Sequence, residues 1–277
     1  MRFCKMHGCG NDYIYINCFE ETVTDPNALS REMSDRHFGI GSDGLILISP
    51  TDTADAYMRM FNADGSEGDM CGNAIRCMAK YLYESGTVPR TEMRIETMSG
   101  IRTLRLFTEG GKVVRAQVDM GKARYASTDI PVLLLARQVV DHPIRTSRGI
   151  FGVTCVSMGN PHAVIYVDSV EDFPVEEVGR QIETHSLFPE RVNTEFIEVL
   201  SPEHLKMRVW ERGSGETWAC GTGACASVAA SVLRGFCPKD RDVTVDLRGG
   251  TLLIRVTDET VWMTGECVEV FRGTVEA

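Results

Sequence analysis

A single shift of 149 residues, the step from Asn11 to Asn160, lays the second half of the 277-residue sequence on the first. No other feature limits the fold so strongly. At that shift Gly10-Asn11 falls on Gly159-Asn160, Met58-Arg59 on Met207-Arg208, Glu67 on Glu216 and Cys71-Gly72 on Cys220-Gly221. Further along, Gly86 meets Gly235, Pro89 meets Pro238, Gly100 meets Gly249 and Leu104 meets Leu253. Gly, Pro, Asn and Cys mark turns, caps and chemistry, so their return in register implies one supersecondary plan used twice.

Local patterns agree in both copies. Tyr57 to Asn62 and Leu205 to Glu211 read as strands, each followed by a polar loop and then by a cysteine. After Cys71, the residues Ile75, Met78, Ala79 and Leu82 recur at helical spacing before Gly86. After Cys220, Ala224, Val228, Ala229 and Val232 do the same before Gly235. Other segments read as short strands, among them Tyr13 to Asn17, Leu45 to Ile48, Val113 to Asp119, Ala163 to Val167 and Leu252 to Val256. The expected fold is α+β: two pseudo-symmetric domains from an internal duplication, each a mixed or antiparallel sheet wrapped around a central helix. Residues 1–120 are expected as the first domain and 121–265 as the second, with a terminal strand in 266–277 that can return to the first. The active site is expected in the cleft between them.

Composition excludes several classes. A net charge of −10 makes nucleic acid and anionic membrane poor partners. The longest apolar run, Ile130 to Ala136, is strand-length rather than membrane-length. The opening MRFCKMHGCGNDY has no apolar core of a signal peptide, which points to the cytoplasm. Ten cysteines in a chain of this length are expected as thiols.

Two of them stand out. Cys71 and Cys220 each sit where a loop hands over to a helix, and the free N–H groups there favour a thiolate against its usual pKa of about 8.5. If the two copies face each other, the two thiols oppose across one bound carbon. One then removes a proton from one face while the other delivers a proton to the opposite face, inverting the centre. Cys77 and Cys225, a turn further in, are expected as packing residues, and Cys4, Cys18, Cys155, Cys237 and Cys267 as ordinary core thiols. No histidine lies close enough in sequence to complete a metal set around either pair, so no metal is expected. The absence of C-x-x-C disfavours a thioredoxin-like role.

The segments FNADGSEGDMCGNAIRC (61–77) and ERGSGETWACGTGACA (211–226) closely resemble the two signature segments of the diaminopimelate epimerase family. MHGCGNDYIYIN (6–17), MGNPHAV (158–164) and VNTEF (192–196) extend the resemblance from end to end. It implies a two-domain isomerase that interconverts LL- and meso-2,6-diaminoheptanedioate with no cofactor, pyridoxal phosphate included. It makes Cys71 and Cys220 the acid/base pair and His162 and Glu211 the groups that tune them. Asn11, Asn62, Gly72, Asn73, Asn160, Asn193, Glu211, Arg212, Gly221 and Thr222 are implied as substrate-binding, with Arg212 on the distal carboxylate. A homodimer is implied as well. The sequence departs from the pattern at Gly44, where some members carry a substrate-contacting glutamine, at Ala74-Ile75 and at Trp218. Rival readings are a proline or hydroxyproline racemase of the same architecture and a non-catalytic amino-acid-binding protein.

Overall fold

Parallel strand pairs need a crossover, and helices supply it here. The computed structural model describes residues 1–276, which divide into two compact units: Met1–Asp119 with the segment from Thr264 onward, and Met120–Met263.

In the first unit the order is β1 (Arg2–Gly8), β2 (Asn11–Asn17), α1 (Pro26–Ser34), β3 (Gly44–Ser49), β4 (Ala56–Asn62), β5 (Glu67–Gly68), α2 (Gly72–Glu84), β6 (Glu92–Thr97), β7 (Gly100–Glu109) and β8 (Lys112–Asp119). Helix α1 carries the crossover between parallel β2 and β3, and α2 that between parallel β4 and β6; the other neighbours pair antiparallel. The second unit runs β9 (His142–Thr146), β10 (Gly149–Ser157), β11 (Pro161–Tyr166), α3 (Val175–Glu183), β12 (Asn193–Ser201), β13 (His204–Glu211), β14 (Gly215–Glu216), α4 (Gly221–Leu233), β15 (Asp242–Leu247), β16 (Gly250–Val256) and β17 (Val261–Gly265). Its parallel pairs, β11 with β12 and β13 with β15, are bridged by α3 and α4 in the same way. The last strand, β18 (Val268–Thr274), returns to the first unit and lies antiparallel to β1. There it takes the place that β9 takes beside β10.

Both central helices are buried along most of their length. Each stops at a left-handed glycine, Gly86 (φ 78°) or Gly235 (φ 76°), the conformation that costs glycine least. The ion pair from Arg59 to Glu67 recurs as Arg208 to Glu216, both at 2.7 Å.

The structure adds to the sequence reading and corrects it at one point. The helices α1 and α3 were not anticipated; α1 opens with the Asp25 side chain accepting from the Ala28 N–H and Pro26 in its first turn. The 149-residue register holds only as far as Pro238. Gly100 and Gly250, not Gly249, start equivalent strands, because one extra residue enters near Asp240, itself left-handed at φ 63°. The apolar run 130–136 is irregular: Ile130 and Val132 enter the core of the second unit, while Leu133 and Leu135 are exposed.

Candidate active site

Cys71 and Cys220 are the N-caps of α2 and α4, in nearly the same extended conformation (φ −125°, ψ 120° and φ −124°, ψ 108°). Each follows a short strand pair that turns the chain back before the helix begins. The duplicated backbone thus builds the same thiol-bearing corner twice.

Around Cys71 the partners are neutral amides. Its thiol donates to Asn11 Oδ1 at 3.2 Å, and Asn73 Nδ2 donates to the same oxygen at 3.3 Å. Asn11 is oriented from behind, since its Nδ2 donates to Asp43 Oδ2 at 2.8 Å. Asp43 is held in turn by Arg36 at 2.8 Å. Asn73 Oδ1 accepts from Arg76 Nη2 at 3.0 Å. Gly72 is buried at the first helical position. Asn62 closes β4 and spends its Nδ2 on Ser66 Oγ at 2.9 Å. At Gly44 a Cβ would lie 2.0 Å from the Phe61 carbonyl oxygen, so no side chain can replace the glutamine contact from this backbone.

Around Cys220 the hydrogen-bond partners are an N–H and a hydroxyl, and carboxylates stand close by. Its sulfur accepts from the Gly223 N–H at 3.3 Å and lies 3.5 Å from the Thr222 hydroxyl. Asn160 Nδ2 donates to Thr222 Oγ1 at 3.2 Å, and its Oδ1 faces His162 Nε2 at 3.0 Å. The other ring nitrogen of His162 meets Glu195 Oε1 at 2.7 Å, and both residues are wholly buried. Glu211 accepts from the Thr217 hydroxyl. Asn193 is engaged inside the unit: Nδ2 donates to the Pro161 carbonyl at 3.1 Å and Oδ1 accepts from the Arg212 N–H at 2.9 Å. The Arg212 side chain is exposed and donates to the Glu190 carbonyl at 3.0 Å. Its loop is fixed by Glu183, which accepts from Trp210 Nε1 at 2.7 Å and from the Gly213 N–H at 3.0 Å.

At both sulfurs the helix-start N–H groups favour the thiolate, and burial outweighs them. Burial pushes Cys71 up; the N–H groups of Ala74 and Asn73, the Arg76 guanidinium and Tyr13 pull it back only in part. Cys220 is driven well above the ordinary thiol range, by burial first and then by the Glu211 and Glu195 carboxylates. The Glu211 carboxyl is itself raised by burial, against the hydrogen bonds from Thr217 and Cys220.

The thiols are therefore set in unlike surroundings. Sequence reasoning missed Tyr13, Arg76, Glu195 and Thr217. The available signal was position: Arg76 falls on the inward side of an apolar helix, and Glu195 is a charged residue in a strand buried throughout from Asn193 to Ile197.

The family profile described as diaminopimelate epimerase matches residues 3–126 and 154–270. A diaminopimelate epimerase of Acetivibrio thermocellus is 53% identical over 278 residues, covering 100% of this chain and 99% of that protein. The chain belongs to the diaminopimelate epimerase family. A second relative of that name, from Methanococcus maripaludis, is 50% identical over 278 residues and covers all of both chains. Among solved structures, a hydroxyproline epimerase from Agrobacterium vitis superposes with a TM-score of 0.73 at 16% identity, covering 99% of this chain and 90% of that one. A PhzF-family phenazine biosynthesis protein from Bacillus anthracis gives 0.73 at 15% identity, covering 100% and 99%. At such identities these structures speak for the fold: a mixed α/β architecture that the diaminopimelate epimerase family shares with racemases. Among the described residues no helix is long and apolar enough to cross a membrane.

Proposed function

We propose that the protein epimerises LL-2,6-diaminoheptanedioate to the meso isomer with Cys71 and Cys220 as the two acid/base groups. Membership of the family gives the reaction class, and the duplicated helix-capping thiol is the observation that carries the assignment. One sulfur, as thiolate, takes the α-proton and becomes a thiol. The electron pair left on carbon delocalises into the substrate carboxylate, and the N–H groups at the helix starts stabilise the charge that develops there. The second thiol then gives its proton to the opposite face and is left as thiolate, so protons balance over the turn.

Asn11, Asn73 and Asn160 are suited to hold the reacting amino-acid end: Asn11 and Asn73 are oriented by partners of fixed polarity, the Asp43 carboxylate and the Arg76 guanidinium, and Asn160 is held between Thr222 and His162. Gly72, Gly221 and Thr222 present the helix starts, and Asn62 adds a further amide. Glu211 and His162 set the proton affinity of Cys220. Arg212 answers the distal carboxylate, and Asn193 serves it by fixing the Arg212 backbone. The same reading makes the protein a cytoplasmic homodimer, which sedimentation and cell fractionation check.

The test is LL-diaminopimelate in deuterated water. The first meso product should carry deuterium at the inverted carbon well before the remaining substrate does. Unlabelled product would signal one base returning the substrate's own hydrogen, and would end the two-thiol assignment. Arg212→Met should weaken the long substrate by about 2–5 kcal/mol while sparing an analogue without the distal carboxylate. Equal losses would take Arg212 off that end.

A further inference from the structure

Arg76 is a charged side chain with no solvent exposure at all, and the largest of the fully buried ones. Its guanidinium folds back toward the start of α2. Nη1 donates to the Gly72 carbonyl at 3.1 Å and Nη2 to Asn73 Oδ1 at 3.0 Å, while Nε has no partner. Gly8 of β1 lies against it, where a Cβ would come within 3.0 Å of Nη2. A guanidinium is a permanent cation, and a cation sealed from water is costly unless an anion answers it.

Among the described residues no carboxylate pairs with Arg76. The groups whose ionisation its field favours are thiols: Cys9, Cys71, Cys77 and Cys267. Burial dominates at each, carrying Cys267 to about 11 and Cys77 higher still. Cys71 differs because two helix N–H groups act with the guanidinium. The other groups facing this corner are Tyr13 and Tyr15 of β2, both held protonated by burial, and Glu266 ahead of β18. Farther down α2, Lys80 pairs with Glu84, which Lys112 of β8 also approaches.

We propose that Arg76 is a positioning residue for the Cys71 half of the site: a fixed cation that answers the Cys71 thiolate and, through Asn73 and Asn11, holds the hydrogen-bond chain that aims the sulfur. The inference rests on the two-thiol reading for its effect on turnover. Its structural part does not need substrate at all. When Cys71 takes a proton from substrate the local charge rises by one unit, and the guanidinium is again unanswered. That imbalance drives the proton off Cys71 in the reverse direction and keeps the sulfur ready as a base.

The experiment uses iodoacetamide on the substrate-free full chain, with the rate at each cysteine read by peptide mapping between pH 6 and 10. In Arg76→Met the Cys71 profile should move up by about one unit, a roughly tenfold slower reaction at neutral pH, while the Cys220 profile stays in place. Arg76→Lys, which keeps the charge and loses the fork, should restore the profile and still show a reduced kcat/KM. A folded Arg76→Met protein with an unmoved Cys71 profile overturns the proposal, since a purely structural role would lower Tm alone. Should Arg76→Met not fold, the unaltered protein decides: Cys71 must alkylate at lower pH than Cys220, and the reverse order overturns it. Epimerisation that survives Cys71→Ala would sink the two-thiol reading instead, and leave the alkylation result standing.

Discussion

The two thiol corners share a backbone and differ in charge. Cys71 faces Asn11, Asn73 and, one step back, a buried guanidinium; Cys220 faces Thr222, Glu211 and, one step back, the buried His162–Glu195 pair. Both corners favour a proton on sulfur, Cys220 the more strongly: at Cys71 two helix N–H groups and a guanidinium offset part of the cost of burial, while at Cys220 carboxylates add to it. Duplication supplied two equivalent caps, and divergence of the lining made them unequal; in the proposed reaction one must start as the base and the other as the acid. A two-base isomerase needs that inequality, because two thiolates, or two thiols, would leave one half of each proton transfer without its partner.

The largest effect expected is loss of either cap. Cys71→Ala and Cys220→Ala should each lower kcat for epimerisation by about 10³-fold or more, with thermal melts close to the parent. If one variant kept most of its activity, the corners would be unequal in role and not only in charge. Next comes alkaline stability, which asks whether the asymmetry extends beyond the corners. Cys267 in the first unit is raised to about 11 and Cys155 in the second to about 12, both chiefly by burial. Unfolded thiols ionise near pH 8.5, so the stability from each is complete below that pH and is lost as pH rises toward the folded value, at about 1.4 kcal/mol per pH unit. Hydrogen exchange at pH 10 should show both units losing protection together. One unit yielding alone would extend the inequality to the cores.

A smaller effect is expected for Glu211→Gln. Removing that charge should bring Cys220 toward ordinary thiol behaviour, so that its alkylation profile moves down while that of Cys71 does not, with kcat/KM reduced by about 10–100-fold. Movement of both profiles would mean the corners are not electrostatically separate. Smallest is the repeated ion pair. Arg59→Met should cost under about 1 kcal/mol, as an exposed pair does. Arg208→Met should cost about 1–3 kcal/mol, because Arg208 also donates to the Val170, Glu171 and Phe173 carbonyls, which would be left short of a partner. Equal melting shifts for the two would refute that difference.

The repeat, the strands and the two thiol-capped helices were legible in the sequence because period-two and helical apolar spacing, with glycine at the helix ends, leave little choice of local structure. Helices α1 and α3 were not, each being only nine residues long; α1 buries a single apolar residue, Met33, and α3 three, Val175, Val178 and Ile182. The two parallel pairs that they bridge would have demanded them had the pairing been known. The register slip near Asp240 was hidden because Gly249 and Gly250 are adjacent and either could be matched to Gly100. Charge at the corners was the least legible part. Glu195 and Arg76 are residue types that ordinarily face water, and only the packing around them turns each into a fixed field at a sulfur.

Strand β18 closes the first unit with residues that follow the whole of the second in the chain. During synthesis the second unit is therefore complete in itself while β1 still waits with an open edge, its N–H and C=O groups unpaired on one side. The half that begins first is finished last. Until residues 268–274 leave the ribosome, the nascent chain carries a sticky strand edge, and chaperone capture or premature release in that interval would act on the Cys71 half alone.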